Sequence, residues 1–163
     1  MGKGVAFSYT FSLVLFTVGY PITQLIYFRF SSEEEYEMKN KMILVIDDEP
    51  EIRALLSRFL DRRGFSVVTA GTLKEGRRLF EQTKPELIFL DINLPDGSGL
   101  SELKHINSGK LQFKVIMMSA FDHNEVKMEA IQYGALDFLS KPFNVARLDS
   151  VVQRQLINTP NTK

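Results

Sequence analysis

Two hydrophobic patterns alternate along the chain from Met42 onward. Short continuous apolar runs of four or five residues are typical of strands that are buried on both faces. Between these runs, apolar residues recur three and four positions apart, which is the spacing of one face of an amphipathic helix. The alternation predicts an α/β fold in which parallel strands are connected by helices. The clearest helical stripe consists of Ile52, Leu55, Leu56, Phe59 and Leu60.

The pattern predicts five strands and five helices. The strands are residues 42–46, 66–70, 87–90, 115–118 and 137–140. The helices are residues 50–63, 72–82, 98–107, 124–133 and 145–156. Helix boundaries agree with local signals, because Pro50 suits a first helical turn, Thr72 is a good N-cap residue and Gly64 suits a helix end. We therefore predict a doubly wound five-stranded parallel sheet flanked by five helices.

The segment before the first strand, residues 1–37, has a different composition. From Gly4 to Phe28 there are 25 residues without a charge, which is enough to cross a bilayer as a helix. Polar residues and Pro21 interrupt this run, and few charges flank it. One interpretation is a membrane anchor that leaves the rest of the chain in the cytoplasm, and another is a disordered or partner-binding tail.

A third interpretation is that the start of residues 1–37 is mis-assigned. The acidic run 33–35 lies just before Met38, and consecutive glutamate codons can spell a purine-rich bacterial ribosome-binding site. We prefer this interpretation, because the predicted fold is complete without the apolar segment. The functional module is then expected to comprise residues 38–158, with residues 159–163 as a short C-terminal tail.

Composition excludes several kinds of function. Lys and Arg together number 20, as do Asp and Glu, so the net charge of zero argues against a uniformly basic nucleic-acid binder. The chain has no Cys, which excludes a disulfide framework, a Cys-ligated zinc site and a thiol nucleophile. Two His residues are too few for a His-rich metal site.

Carboxylate, hydroxyl or ammonium side chains stand at the ends of four of the five predicted strands. The carboxyl ends of parallel strands meet at one edge of a sheet, where ligands bind in open α/β folds. Clustered carboxylates repel one another, and a hard divalent cation such as Mg²⁺ relieves that repulsion. A carboxylate can also attack phosphorus to give an acyl phosphate, with cations stabilising the phosphoryl oxygens. The residues at this edge are Asp47, Asp48, Glu49, Asp91, Ser119 and Lys141.

These residues resemble the signature of response-regulator receiver domains of two-component signalling. The signature residues stand in the family's order and at its usual spacings. The stretches 87–100 and 134–143 are also similar to the family's phosphorylation-site loop and fifth strand. The resemblance covers residues 41–157 and is to stand-alone receivers of phosphorelays and chemotaxis. The fifth strand also resembles receivers of nitrogen-regulator transcription factors. The residues that carry it are Asp47-Asp48, Asp91, Ser119 and Lys141-Pro142-Phe143.

The resemblance implies a flavodoxin-like strand order 2-1-3-4-5 and a role for each signature residue. Asp91 would be the phosphoacceptor and Mg²⁺ the cofactor. Asp48, Asp91 and the backbone carbonyl of Asn93 would bind the ion directly, and Asp47 would act through a metal-bound water. The remaining implied roles are phosphoryl contacts for Ser119 and Lys141, a conformational switch for Ser119 and Phe138, and a cis peptide bond before Pro142.

The resemblance also implies partners. A histidine kinase or histidine phosphotransfer protein would phosphorylate Asp91, docking near the first helix and the Pro142–Phe143 loop, with apolar contact from exposed members of residues 52–56. A downstream effector would bind the face formed by the fourth helix, fifth strand and fifth helix, around residues 126–133 and 138–147. The module would work in the cytoplasm, without direct nucleic-acid contact. Apart from self-phosphorylation and autodephosphorylation, it would not be an enzyme.

Alternative functions fit the residues less well. Hydrolases of the haloacid dehalogenase type have a second Asp two residues after the nucleophile and a Thr two further on, where this chain has Asn93 and Pro95. Receiver-like interaction modules that are not phosphorylated usually lack part of the signature, which is complete here. A transcription factor would need an output domain, for which the few residues after the last predicted helix leave no room. Phe138 alone also fits an ordinary core position.

Overall fold

The computed structural model describes residues 41–108, 113–120 and 123–157. The helices are α1 (Pro50–Asp61), α2 (Leu73–Thr83), α3 (Gly99–Ile106), α4 (Asn124–Gln132) and α5 (Val145–Val152), with a final π-helical turn at Gln153–Ile157. The strands are β1 (Met42–Ile46), β2 (Ser66–Ala70), β3 (Leu87–Asp91), β4 (Asn93–Leu94), β5 (Gly97–Ser98), β6 (Val115–Ser119) and β7 (Asp137–Ser140).

The long strands form a five-stranded sheet in the order β2-β1-β3-β6-β7, and every pairing in it is parallel. With the short β4–β5 hairpin left out, this is the predicted order 2-1-3-4-5, so the predicted fold class is confirmed. Asp91 lies opposite Met118, and Ser119 lies opposite Ser140. This register brings the carboxyl ends of β3, β6 and β7 to one edge of the sheet.

Apolar layers cover both faces of the sheet. Ile43 and Val45 of β1 belong to a layer that includes residues of α1 and α5, whereas Leu44 and Ile46 belong to a layer that includes residues of α2, α3 and α4. Alternate residues of one strand therefore supply opposite layers, which explains why the strand is apolar throughout. Each large side chain that is fully buried in this way contributes about 1.5–3 kcal/mol to the free energy of folding.

The helix boundaries follow from local sequence signals. Pro50 is the first residue of α1, and the Thr72 hydroxyl accepts a hydrogen bond from the Glu75 amide at the start of α2. Gly64 and Gly134 follow α1 and α4 with φ angles of 84° and 91°, which glycine adopts without a steric penalty.

Most predicted element ends lie within two residues of the observed ones, and the hairpin and two helices differ in ways that have a physical reason. The β4–β5 hairpin was not predicted, because strands of two residues are too short to show a period. Helix α3 begins at Gly99, since Ser98 acts as its N-cap. The last helix was predicted to continue to residue 156, but α5 ends at Val152 and the chain widens into the π-helical turn.

Two lysine side chains connect that final turn to the sheet by hydrogen bonds. Lys41 Nζ donates to the carbonyl of Leu156 at 2.9 Å, and Lys114 Nζ donates to the carbonyl of Gln155 at 3.0 Å. Both lysines lie directly before strands. The turn is therefore held at the edge of the sheet where the parallel strands begin, opposite the edge that carries the acidic residues.

Among the described residues, no helix is long and apolar enough to cross a membrane. The expectations for residues 1–37 and for the tail 159–163 lie outside the described residues, and they stay predictions.

Candidate functional site

Three carboxylates meet where β1 and β3 end. Asp47 follows β1 and is fully buried, and Asp91 is the last residue of β3, only 4% exposed. Asp48 faces solvent beside them. One carboxylate oxygen from each of the three residues lies within 4.8 Å of the others. The sequence predicted this cluster, and the parallel register of the sheet produces it.

An ammonium group lies against the cluster. Lys141 follows β7, and its Nζ atom lies 2.7 Å from Asp47 Oδ2 and 3.4 Å from Asp91 Oδ1. A third carboxylate oxygen, Glu49 Oε1, lies 2.9 Å from the same nitrogen. The side chain of Lys141 is only 7% exposed, so these contacts are largely shielded from water. The contact with Glu49 was not predicted.

The two oxygens of Asp47 have different environments. Oδ1 accepts a hydrogen bond from the Glu49 amide at 2.9 Å. Oδ2 is buried, and its partner is the ammonium of Lys141, whose Nζ atom lies 2.7 Å away. Buried carboxylate oxygens normally find a hydrogen-bond donor or a cation. Lys141 supplies that partner for Oδ2, but one ammonium faces several carboxylates, and the acidic cluster therefore fits an added divalent cation with oxygen ligands, such as Mg²⁺.

Burial and mutual repulsion shift the acidity of the cluster. Burial raises the pKa of Asp91 to about 6; Lys141 opposes this shift and Asp47 adds to it. Burial also raises the pKa of Asp47, against the opposing contact with Lys141. For Lys141, burial acts to lower the pKa, but the contacts with Asp47, Glu49 and Asp91 outweigh it, so the pKa is raised. A bound cation favours the ionised carboxylates, since it offsets their repulsion.

Ser119 completes the edge of the sheet beside Lys141. It is the last residue of β6 and is fully buried. Its backbone carbonyl accepts a hydrogen bond from the Lys141 amide at 2.7 Å. The same bond fixes the end of β6 and the start of the Lys141 loop relative to each other.

Asn93 begins the short β4–β5 hairpin that follows Asp91, and its side chain is exposed. The hairpin returns directly onto β3, because the Gly99 amide donates to the Ile92 carbonyl at 2.8 Å. A Cβ atom at Gly99 would lie 1.9 Å from the backbone oxygen of Asp91, which no real contact permits. Gly99 is therefore needed to close this loop against the end of β3.

The tip of the hairpin is tied to α2. The Asp96 carboxylate accepts hydrogen bonds from the amides of Leu73 and Lys74, at 2.8 and 2.9 Å, the first two residues of that helix. These bonds hold the pKa of Asp96 below its usual value, chiefly through the Lys74 amide. This cap is not apparent from the sequence, because caps are normally recognised from residues adjacent to the helix.

The implied switch residue lies apart from the carboxylates. Phe138 is buried in the apolar layer next to α4, with Lys127 Nζ 5.6 Å from the centre of its ring. Pro142 follows a cis peptide bond, as the resemblance implied. The location of Phe138 fits both a core residue and a switch residue.

The face formed by α4, β7 and α5 combines apolar and charged groups. Asp137 of β7 forms ion pairs with Arg147 at 3.1 Å and with Arg154 at 2.6 Å. The exposed large apolar side chains on and beside these elements are Met128, Ile131, Leu136 and Val145.

The apolar contact expected on α1 has little exposed surface, supplied by Ala54 and by the accessible parts of Ile52 and Leu55, and it stays a prediction. Leu56 is fully buried, and Ile52 and Leu55 are half-buried, with Ile52 packed against the core. No large apolar side chain of residues 52–56 is therefore exposed. The reason is that the helical stripe faces the sheet, which the sequence pattern also shows.

Comparison with known proteins gives one consistent result. The family model described as the response regulator receiver domain matches residues 43–153. The chain is 37% identical over 128 residues to the alkaline phosphatase synthesis transcriptional regulatory protein PhoP of Bacillus subtilis, a match that covers 76% of this chain and 53% of PhoP. The chain thus spans about half the length of this relative.

Solved structures agree with the sequence match. A two-component response regulator from Clostridium difficile superposes with a TM-score of 0.68 at 29% identity, covering 73% of this chain and 99% of that one. A response regulator protein from Burkholderia pseudomallei, crystallised with a phosphorylated aspartic acid, a calcium ion and citrate, superposes with a TM-score of 0.63 at 30% identity. That match covers 72% of this chain and 68% of the other.

Proposed function

The chain belongs to the response regulator receiver domain family of two-component systems, and from this premise we propose that Asp91 accepts a phosphoryl group in a Mg²⁺-dependent reaction. The observation that carries the proposal is the contact of one ammonium, on Lys141, with the buried carboxylates of Asp47 and Asp91. A site with this combination can bind a cation and can stabilise the negative charge of a phosphoryl group.

The residues that would hold the metal ion belong to the acidic cluster and the hairpin. We infer that Asp48, Asp91 and the backbone carbonyl of Asn93 are direct ligands and that Asp47 acts through a metal-bound water. When bound, Mg²⁺ supplies positive charge to the phosphoryl oxygens. The clustering of the three carboxylates supports this assignment, as does the calcium ion in the Burkholderia pseudomallei relative.

The transfer step itself is a displacement at phosphorus. A carboxylate oxygen of Asp91 attacks the phosphorus atom of a phosphorylated histidine on a histidine kinase or histidine phosphotransfer protein. The new oxygen–phosphorus bond forms as the nitrogen–phosphorus bond breaks, and the electron pair of that bond returns to the imidazole nitrogen. In the product, Lys141 pairs with one phosphoryl oxygen and the Ser119 hydroxyl donates to another.

The phosphorylated state would then change a surface away from Asp91. Ser119 and Lys141 lie at the ends of β6 and β7, next to the α4-β7-α5 face. Moving both toward a new dianion shifts the equilibrium between two arrangements of that face. The exposed side chains of Met128, Ile131 and Val145 give a downstream effector protein an apolar surface to bind.

The rest of the proposed role follows from this chemistry. The module transfers a phosphoryl group onto itself and releases it by autodephosphorylation, so it acts as a signalling protein and not as a turnover enzyme. It works in the cytoplasm, where the kinase and Mg²⁺ are available, and contacts proteins without binding nucleic acid directly.

Phosphorylation by a small-molecule donor tests the proposal. Acetyl phosphate with Mg²⁺ should add one phosphoryl group to the wild-type protein, and peptide mass spectrometry should place it on Asp91. The Asp91→Asn variant should remain unmodified, because an amide is a poor nucleophile for phosphorus. Equal labelling of Asp91→Asn would reject Asp91 as the acceptor. A wild-type protein that stays unmodified would instead indicate a receiver-like interaction module that is not phosphorylated.

A further inference from the structure

Lys141 also contacts a carboxylate outside the acidic cluster of Asp47, Asp48 and Asp91. Its Nζ atom donates to Glu49 Oε1 at 2.9 Å. Asp47 Oδ2 lies 2.7 Å from the same nitrogen, whereas Asp91 Oδ1 lies 3.4 Å away, which is long for an N–H···O bond. The ammonium group is therefore directed at Glu49 more than at the residue that would carry the phosphoryl group.

Glu49 differs from the other carboxylates in its surroundings. Its side chain is 54% exposed, and it does not belong to the cluster of Asp47, Asp48 and Asp91. Its backbone is fixed as the N-cap position of α1, where its carbonyl accepts a hydrogen bond from the Arg53 amide at 3.2 Å. The helix start thus places the Glu49 carboxylate beside a lysine that is 92 residues away in the chain.

A phosphoryl group on Asp91 would need the same donor. An ammonium has three N–H donors, and its position relative to its acceptors decides which of them it serves. A hydrogen bond to Glu49 draws Nζ toward the start of α1, while a phosphoryl oxygen on Asp91 would draw it toward the end of β3. The two contacts compete, because moving Nζ toward a phosphoryl oxygen on Asp91 lengthens its 2.9 Å contact with Glu49.

We propose that Glu49 is a positioning residue that holds Lys141 in the unphosphorylated protein and competes with the phosphoryl group of Asp91 for its ammonium. This inference rests on the proposed function of Asp91 and Lys141, and it adds a residue that opposes activation. An ion pair with one exposed partner changes an equilibrium by about two- to five-fold. Glu49 therefore shifts the equilibrium modestly away from the phosphorylated state.

Two substitutions at one position separate the contact from the charge. Glu49→Gln keeps the length of the side chain and removes its charge. Glu49→Asp keeps the charge, but the side chain is one methylene shorter and cannot reach Lys141 in the same way. Glu51→Gln is the matched control, since it removes the same charge from an exposed position in the first turn of the same helix.

The test uses two measurements on the full chain. The first is the affinity for BeF₃⁻, a phosphoryl mimic that adds to a carboxylate oxygen, in saturating Mg²⁺ and followed by NMR. The second is the ¹⁵N resonance of the Lys141 ammonium without Mg²⁺ or BeF₃⁻, which reports the contact with Glu49 independently of the metal and of phosphoryl chemistry.

We expect both Glu49 variants to bind BeF₃⁻ about two- to five-fold more tightly than wild type and to shift the Lys141 resonance. Glu51→Gln should change the affinity for BeF₃⁻ by less than about two-fold and should leave the Lys141 resonance in place. The proposal is overturned if Glu49→Gln leaves the affinity unchanged, or if Glu49→Asp behaves like wild type, since the effect would then be long-range charge alone. A wild-type protein that fails to bind BeF₃⁻ rejects the proposed function itself, while the Lys141 resonance still shows whether the contact with Glu49 exists.

Discussion

Asp47 Oδ2 and Lys141 Nζ lie 2.7 Å apart at a site that solvent hardly reaches. The ammonium offsets the charge of two buried carboxylates, Asp47 and Asp91. Removing one partner of such a pair leaves an uncompensated buried charge. The metal-free protein should therefore depend on Lys141 for stability more than the metal-bound protein does.

Replacing Lys141 by Ala tests this dependence. Without Mg²⁺ the free energy of unfolding should fall by about 3–5 kcal/mol, because Asp47 and Asp91 then face each other without a cation. Saturating Mg²⁺ should restore much of the loss, and the variant should still bind the ion. Urea denaturation with and without Mg²⁺ measures both quantities. Equal losses under the two conditions would show that the metal ion does not neutralise this pair.

Replacing Asp48 by Ala should reduce the affinity for Mg²⁺ more than the stability, the reverse of what we expect for Lys141→Ala. It removes a proposed ligand from an exposed position, so stability should change little, while Mg²⁺ affinity should fall on the order of ten-fold or more and phosphorylation by acetyl phosphate should fall with it. Asp61→Ala serves as the control, because it removes an exposed carboxylate at the far end of α1. Isothermal titration with Mg²⁺ distinguishes the variants, and an unchanged affinity in Asp48→Ala would remove Asp48 from the ligand set.

Activation should be visible at a distance from Asp91. Addition of BeF₃⁻ and Mg²⁺ should change amide exchange around residues 126–133 and 138–147, because Ser119 and Lys141 lie at the ends of the strands that lead to that face. The Asp91→Asn variant in the same buffer should show no such change. Exchange differences confined to the neighbours of Asp91 would contradict the proposed coupling.

Gly99 should not tolerate a side chain. Gly99→Ala would place Cβ 1.9 Å from the Asp91 carbonyl oxygen, so the backbone at the end of β3 has to move. We expect a loss of stability of about 1–3 kcal/mol or more, together with reduced phosphorylation. Gly71→Ala is the matched control, since its Cβ would meet only the flexible Arg53 side chain at 3.4 Å. Similar stability for the two variants in thermal unfolding would reject the close approach at Gly99.

The Asp96 cap should make stability depend on acid pH. The pKa of Asp96 is lowered from 3.8 in the folded state, so its stabilising effect is complete above the unfolded value and is lost as the pH falls through the lower, folded value. Asp96→Asn should therefore be less stable than wild type above about pH 4, and the difference should shrink below it. Asp61→Asn provides the control. A difference between wild type and Asp96→Asn that is constant with pH would show that the Asp96 charge contributes nothing.

Much of the fold could be predicted because its signals are local. The continuous apolar strands, the Thr72 cap and the glycine after α1 each depend on neighbouring residues, and the structure confirms them. The proximity of Asp47 and Asp91 could also be predicted from the sequence. Each residue stands at the carboxyl end of a predicted parallel strand, and such ends meet at one edge of the sheet.

Other features could not be predicted, because they join residues far apart in the chain. Glu49 directly follows Asp47 and Asp48 in the sequence. Its hydrogen bond to Lys141, however, depends on how the start of α1 and the loop after β7 are placed. Asp96 caps a helix that begins 23 residues before it, so no capping pattern in the sequence identifies it. The two-residue strands of the hairpin have no hydrophobic period to detect.

The ion pairs of Asp137 have a consequence for association between copies of the protein. Strand β7 is an outer strand of the sheet, and an outer strand can act as a template for pairing with another chain. This strand has only four residues, and Asp137 at its start is held by Arg147 and Arg154. Short length and charge are two of the features that oppose edge-to-edge aggregation. The outer strand of the α4-β7-α5 face is thus protected against uncontrolled β-pairing, even though the face exposes apolar side chains.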